Sequence, residues 1–335
     1  MALKFGVCVA TCLEGMMYPI PFASPAESLR MALLAESLGY DSVWGNDHMT
    51  TQHYVRREFA APPNFYDLLM MLCFLGARTT RIRLGTGILV LPLRHVVVAA
   101  KQTATLDQLS GGRLILGVGV GAYREEYEAL FPDTVGRRGT IVEEGIQALR
   151  RLFTERRVTF EGRYVRFRDV ECFPKPAQDP LPIWAGGNAP EVRRRAGELA
   201  DGWLPAVMSV EEVRSGVEEV RRAAEKARRD PGAIEIAPQF AVSIGRTREE
   251  ATRRFRESQL YKHLESLKGS TLRDQTGGFE DRNLIGSPME VCDRIEAYRK
   301  AGVTTLPALL FVANSVPEVL EAIDLFGRQV IPHFG

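Results

Sequence analysis

Apolar residues along this chain fall into two alternating rhythms. Short unbroken runs of strand length recur between longer segments with helical spacing, and the clearest instance is Arg81–Gly121. There, Ile82–Val90 and Arg113–Val118 are apolar runs flanking the helix-length segment Val96–Leu109. This is the signature of a strand, a crossover helix and a parallel strand. Both runs end in glycines, Gly85 and Gly87 in the first and Gly117, Gly119 and Gly121 in the second. Strand ends without side chains mark a bulge or the approach of a ligand to the backbone, and here they read as a slot for something flat.

The same rhythm runs from end to end. Strands are predicted at Lys4–Ala10, Asp41–Gly45, Ile183–Ala185, Asp201–Leu204, Ile234–Ile244 and Thr304–Val312, besides the two above. Helices are predicted from Pro25 to Leu38, Phe65 to Arg78, Gly139 to Phe153, Pro190 to Leu199, Val210 to Arg229, Pro288 to Ala301 and from Pro317 onward. Ser24-Pro25-Ala26-Glu27 and Ser287-Pro288-Met289-Glu290 both have the N-cap, proline and acidic residue of a helix start. Val158–Phe160 and Tyr164–Phe167 alternate around Glu161-Gly162-Arg163 as a β-hairpin, an excursion from the main pattern. Eight strands alternating with helices give an α/β (β/α)8 TIM barrel with insertions, including that hairpin and a long polar loop, Gly269–Asn283, before the last barrel units. No linker or composition shift divides the chain, so residues 1–335 are read as a single domain.

Composition narrows the function classes. The formal net charge of +1 argues against a dedicated nucleic-acid or anionic-membrane surface. Five scattered cysteines without a C-x-x-C pair indicate neither a disulfide framework nor a zinc site, and no metal is expected. The longest apolar run, Leu68–Ala77, has ten residues, about half a membrane span. Lys4 is followed by strand rather than by a signal-peptide core, and the expectation is an unprocessed cytoplasmic enzyme.

A barrel builds its active site at the carboxyl ends of its strands. Asp47-His48, Gly87-Ile88, Gly119, Gly121 and Gly186-Gly187-Asn188 all fall there. The last group precedes a helix opening at Pro190, whose free backbone N–H groups suit a phosphate. A lone histidine is most simply a core or capping residue, but beside Asp47, with the long loop Met49–Asn64 behind it, His48 becomes a candidate proton donor or acceptor. His53, His95, His263 and His333 carry no signal individually. Arg193-Arg194-Arg195 reads as a solvated helix face, Trp44, Trp184 and Trp203 as core, and Glu125-Glu126 as an exposed helix start rather than substrate ligands. Phe59, Phe65, Tyr66 and Tyr123 hint at an apolar or aromatic substrate beneath the loops Met49–Asn64 and Gly269–Asn283.

Taken in order, VWGNDH, LGTGILVLPLRH, KQTATLDQLSGGRLILGVGVG, FEGRYVRF, PKP, PIWAGGNAP and ADGW resemble the bacterial luciferase-like flavin and deazaflavin oxidoreductases, from Met1 to about Leu204, with a weaker echo in IGSPMEVCDRIEAYRKAGV. The branch resembled most is the one that uses coenzyme F420, an 8-hydroxy-5-deazaflavin. FMN-dependent monooxygenases share nearly all of these motifs, and a non-catalytic flavin-binding protein is a further alternative. The resemblance implies hydride transfer between F420 and a small organic substrate, with Asp47 and His48 as catalytic residues facing the ring. It implies cofactor contacts at Asp47, His48, Thr86, Gly87, Ile88, Gly119, Gly121, Gly186, Gly187, Asn188 and Ala189, with a cis peptide at Gly87-Ile88 that backs the ring. A homodimer and, for the FMN alternative, a separate reductase are the implied partners. One position departs from the pattern. Ala122 stands where deazaflavin-dependent sugar-phosphate dehydrogenases carry a catalytic glutamate, which speaks against that activity.

Overall fold

The computed structural model describes residues 2–269, 272 and 278–335. Its strands form one curled parallel sheet in the order Lys4–Cys8, Ser42–Gly45, Arg83–Thr86, Leu114–Gly119, Ile183–Gly186 and Gly202–Leu204, and Thr305–Phe311 lies on the other side of Lys4–Cys8. The segment between Glu235 and Ile244 closes the ring. Glu235–Ile236 pairs with Gly202–Trp203, while Ala241–Val242 pairs with Leu310–Phe311 and the Thr304 N–H donates to the Ile236 carbonyl at 3.0 Å. This is the expected α/β TIM-barrel architecture. Val158–Glu161 and Arg166–Val170 form the antiparallel hairpin outside it.

Several local signals act as read. Ser24 and Ser287 each complete a capping box with the glutamate three residues on, which satisfies two of the N–H groups a helix start leaves free. The Val96–Ser110 helix is stopped by Gly111 in a left-handed conformation (φ 69°) that disfavours residues with a Cβ.

Five segments differ from the reading. The run Ile82–Val90 is interrupted: Arg83–Thr86 is one strand, the Gly87–Ile88 peptide is cis, as the resemblance implies, and Leu89–Val90 rejoins the sheet beside Val118–Gly119. The seventh run is two short strands, because Ala237–Phe240 must cross from one neighbour to the other. Met49–Asn64 holds a short helix, His53–Glu58, and Tyr123–Glu126 leads into a helix, Arg124–Leu130. Leu284–Gly286 is a strand added beside Ala241–Ile244, and positions 270, 271 and 273–277 of the loop expected over Gly269–Asn283 lie outside the described residues.

The strand glycines have a different cause from the one inferred. Trp44 lies opposite Gly85 across the sheet, and a Cβ on Gly85 would fall 2.2 Å from the Trp44 ring. A Cβ on Gly117 would fall 2.2 Å from the Thr86 carbonyl oxygen, and Cβ atoms on Gly119 and Gly186 would fall 2.6 and 2.4 Å from the Ile88 side chain. The emptied volume is therefore filled from within the chain, by Trp44 in the barrel core and by Ile88 at its mouth. Trp44, Trp184 and Trp203 are all fully buried, and the Trp44 and Trp184 rings lie 5.3 Å apart.

Candidate active site

At the carboxyl ends of the strands lies a cavity of ≈ 930 Å³. Its lining includes Asp47, His48, Gly87, Ile88, Gly121, Gly186, Gly187, Asn188 and Ala189, so nine of the predicted positions converge on one space. Two do not reach it. Thr86 is buried and its hydroxyl donates to the Gly117 carbonyl at 2.7 Å, tying the third and fourth strands together below the mouth. Gly119 lies beneath the Ile88 side chain.

Asp47 and His48 are consecutive but engage different partners. Both Asp47 oxygens are taken by Arg94, at 2.6 and 2.7 Å, and the Val90 N–H donates to Oδ2 at 2.8 Å. With side-chain exposures of 8% and 2% for Arg94 and Asp47, this buried bidentate pair joins the second strand end to the segment after the cis peptide. It suits an anchor more than a group that gives up or takes a proton.

His48 is held by a residue the sequence reading set aside. The Glu126 carboxylate lies 3.2 and 3.3 Å from His48 Nδ1 and accepts the N–H groups of Met49 (3.0 Å) and Thr50 (3.4 Å). Its side chain is 1% exposed, so the expectation of an exposed helix start fails for Glu126. Glu125 lies nearer the rim, where it accepts the His53 N–H at 3.2 Å. The Gln52 amide nitrogen also lies 3.1 Å from Nδ1, leaving Oε1 of that buried side chain without a partner. A carboxylate on Nδ1 fixes the proton there and leaves Nε2 as the exchanging nitrogen. Among the described residues nothing hydrogen-bonds Nε2. The only sealed side-chain polar atoms lacking a partner are Gln52 Oε1 and Arg195 Nε, so Nε2 opens on the cavity.

At the opposite end of the predicted set, Gly186–Ala189 leads into the Pro190–Leu199 helix. Ala189 supplies no side-chain cap, and the two oriented groups of Asn188 are spent on Ala206, donating to its carbonyl (2.8 Å) and accepting from its N–H (2.9 Å). Two arginines that the sequence reading missed line the cavity, and Arg193 lies here. Arg193 donates to the Asn188 carbonyl (3.0 Å) and pairs with Glu219. Arg138 lies over the Tyr127 ring, 5.1 Å from its centroid, and forms no ion pair among the described residues. Uncapped N–H groups with two guanidinium groups fit an anionic tail.

The aromatic hint is met in part. Tyr123 lines the cavity, and its ring lies 5.8 Å from that of His48, while Phe65 lies 5.9 Å from His48 from behind the lining. Phe59 and Tyr66 do not reach the cavity. His263, uninformative in sequence, also lines it. Burial, followed by the nearness of His48, lowers the His263 pKa to about 3. Burial raises the Tyr123 hydroxyl to about 12 and the Cys12 thiol, beneath the site, to about 12, so neither is an anion at neutral pH.

The model of the luciferase-like monooxygenase family matches residues 3–305, well beyond the Leu204 limit of the sequence motifs. The chain belongs to this family. An F420-dependent glucose-6-phosphate dehydrogenase of Kineococcus radiotolerans is 35% identical over 184 residues, 54% of this chain and 52% of the relative. The chain thus spans about half the length of the curated dehydrogenases it matches. The 5,10-methylenetetrahydromethanopterin reductase of Methanopyrus kandleri is 26% identical, with coverage of 94% of this chain and 97% of the relative. Among solved structures, the monooxygenase RslO1 of Streptomyces bottropensis superposes with a TM-score of 0.80 at 25% identity, covering 99% of this chain and all of that one. An F420-dependent dehydrogenase, a reductase and a monooxygenase thus stand among the proteins it is similar to. None of its helices, among the described residues, is long and apolar enough to cross a membrane.

Proposed function

We propose that this protein exchanges a hydride between coenzyme F420 and a small organic substrate in the barrel mouth. The observation that carries the reading is the Glu126–His48 pair, with His48 Nδ1 held and Nε2 open to a cavity floored by Gly87 and Ile88. The cofactor, when bound, supplies the hydride chemistry, and the protein supplies binding, orientation and proton handling. Gly186–Ala189, Arg138 and Arg193 would hold its phosphate, and Ile88, seated on Gly119 and Gly186, would support the ring. His48 Nε2 takes or gives the proton that accompanies hydride transfer, with the Glu126 charge favouring the imidazolium when it forms. Asp47, tied to Arg94, fixes where His48 sits. Met16, Met17 and Leu267 give the space an apolar boundary that limits water. Ala122 lines the cavity with a methyl group and offers no proton, so sugar-phosphate oxidation is not part of the proposal.

The likeness to the Streptomyces monooxygenase supports a second reading, an FMN monooxygenase that receives reduced flavin from a reductase and uses oxygen. Anaerobic titration with F420, reduced F420 and reduced FMN separates the two. Saturable F420 binding and oxygen-independent turnover are expected. Tight binding of reduced FMN with oxygen-dependent product formation would overturn the proposal in favour of the monooxygenase.

A further inference from the structure

His263, on the Gln259–Ser266 helix, is the one imidazole of the cavity to which the proposed function gives no task. It is 4% exposed, and no carboxylate among the described residues bonds to it. Its ring neighbours are Tyr54 and Tyr123, at centroid distances of 6.5 and 6.4 Å. The Tyr54 hydroxyl lies 3.0 Å from His263 Nδ1 and the Tyr123 hydroxyl 3.2 Å from the same nitrogen. The Ser266 hydroxyl donates to the His263 carbonyl at 2.7 Å, which leaves its oxygen free to accept from Tyr123 at 3.4 Å.

These contacts set the tautomer. A phenol is a stronger acid than a neutral imidazole N–H, and an imidazole nitrogen is a stronger base than a phenol oxygen. The proton between Tyr54 and His263 therefore stays on the tyrosine, and Nδ1 accepts. Burial keeps the ring uncharged at neutral pH. A neutral ring whose Nδ1 accepts carries its hydrogen on Nε2. No described residue accepts that hydrogen, and Nε2 is not among the sealed atoms, so it faces the cavity.

We infer that His263 presents Nε2–H as a fixed, uncharged donor to the substrate, and that the site selects a neutral oxygen at the reacting end, a carbonyl or its alcohol, over a carboxylate or phosphate. The word substrate here rests on the proposed redox function. Charge around the site agrees. Among described residues lining the cavity, the cations are Arg138, over the Tyr127 ring, and Arg193, by the Gly186–Ala189 end. The described groups bonded around His263 are the uncharged hydroxyls of Tyr54, Tyr123 and Ser266. An anionic reacting group bonded to Nε2 would find no cation among these described groups to offset it, whereas a carbonyl oxygen needs only one neutral donor. The division of labour follows: His48, paired with a carboxylate, moves a proton, and His263, paired with phenols, keeps its own.

The test uses the full-length protein with ¹⁵N-labelled histidine, with and without F420. Long-range ¹H–¹⁵N spectra at pH 7 report each ring's tautomer, and His263→Gln assigns the signal. If that variant fails to fold, the ring is recognised as the one that does not titrate between pH 5 and 8. An Nε2–H ring that shifts on adding cyclohexanone but not cyclohexanecarboxylate is the expected result. His263→Leu should then raise KM for a ketone by about ten-fold with kcat changed less, and His263→Gln should recover part of the loss. An Nδ1–H tautomer, an imidazolium at pH 7, no response to the ketone, or a carboxylate bound as well as the ketone would each overturn the inference. Failure to bind F420 or reduced FMN sinks the redox reading separately, because the tautomer belongs to the chain alone.

Discussion

Glu126→Gln isolates the charge that holds the proposed catalytic imidazole. In the native site the carboxylate accepts three hydrogen bonds, from Met49 N–H, Thr50 N–H and His48 Nδ1. An amide has one accepting oxygen. Turned toward the two backbone donors, it presents its NH₂ group to Nδ1, which must then accept, and the ring proton moves to Nε2. Turned the other way, it sets a donor against two buried N–H groups. The first arrangement leaves fewer groups unsatisfied, so the variant should hold the wrong tautomer for taking a proton from the substrate.

The rate of substrate oxidation should fall by ~10²–10⁴-fold, the range of a lost general base. The reverse direction passes through the same transition state, and its imidazolium donor loses the same carboxylate, so its rate should fall to a similar extent. Cofactor affinity should stay within about three-fold, because Gly186–Ala189 and the two arginines are untouched. Stability should drop by ~1–2 kcal/mol, the difference between charge-assisted and neutral hydrogen bonds at a site 1% exposed. Anaerobic single-turnover kinetics in both directions, cofactor titration and thermal melts on the same variant supply the three numbers. A single-turnover rate within about three-fold of the parent, together with a lower melting temperature, would mean that Glu126 merely braces the loop.

His48→Ala should lower turnover by ~10²–10⁴-fold with little change in cofactor affinity, and activity that falls only in step with folded protein would make His48 a core residue instead. Arg94→Met leaves the Asp47 carboxylate buried without its partner and should cost ~3–5 kcal/mol in urea denaturation; a loss below ~1 kcal/mol would mean Asp47 finds another cation or protonates cheaply. The folded His263 pKa of about 3 lies below the ordinary histidine value of 6.5, so below pH 6.5 the unfolded chain takes a proton that the folded chain refuses. The stability this ring contributes is complete above pH 6.5 and lost toward pH 3, at up to ~1.4 kcal/mol per pH unit relative to His263→Gln, and parallel stability–pH curves for the two proteins would refute it.

Much of the scaffold could be read locally because its signals are local. Ser24 and Ser287 cap helices through residues three positions away, and the parallel strands are continuous apolar runs because both faces are covered. Elements that were missed lack such a signal. Leu284–Gly286 has three residues and Arg124–Leu130 seven, too few for a period to show. Because the helix at Arg124 is so short, burial of Glu126 and Tyr127 beside exposed Arg124 looks like any polar loop. The site partners are further out of reach: Glu126 is 78 positions from His48, Arg94 is 47 from Asp47, and His263 is 209 from Tyr54. Only closure of the barrel brings them together, and no spacing rule spans it.

The glycines show how one sequence signal can have more than one cause. Glycine at a strand end says that volume is missing beside the backbone; it does not say whether a ligand or another side chain fills it. At Gly85 the occupant is Trp44, and at Gly119 and Gly186 it is Ile88. Ile88 in turn lines the cavity, so the sequence invests two glycines in seating the one side chain that forms the floor. A floor made this way is positioned by packing against two strand ends rather than by a loop, and its placement is as rigid as the barrel itself. The same economy applies above it. Two histidines with identical side chains reach one cavity, and their neighbours make them chemically different: a buried carboxylate meets Nδ1 of His48, and two phenol hydroxyls meet Nδ1 of His263. Exchanging those neighbours, not the histidines, is what would exchange their roles.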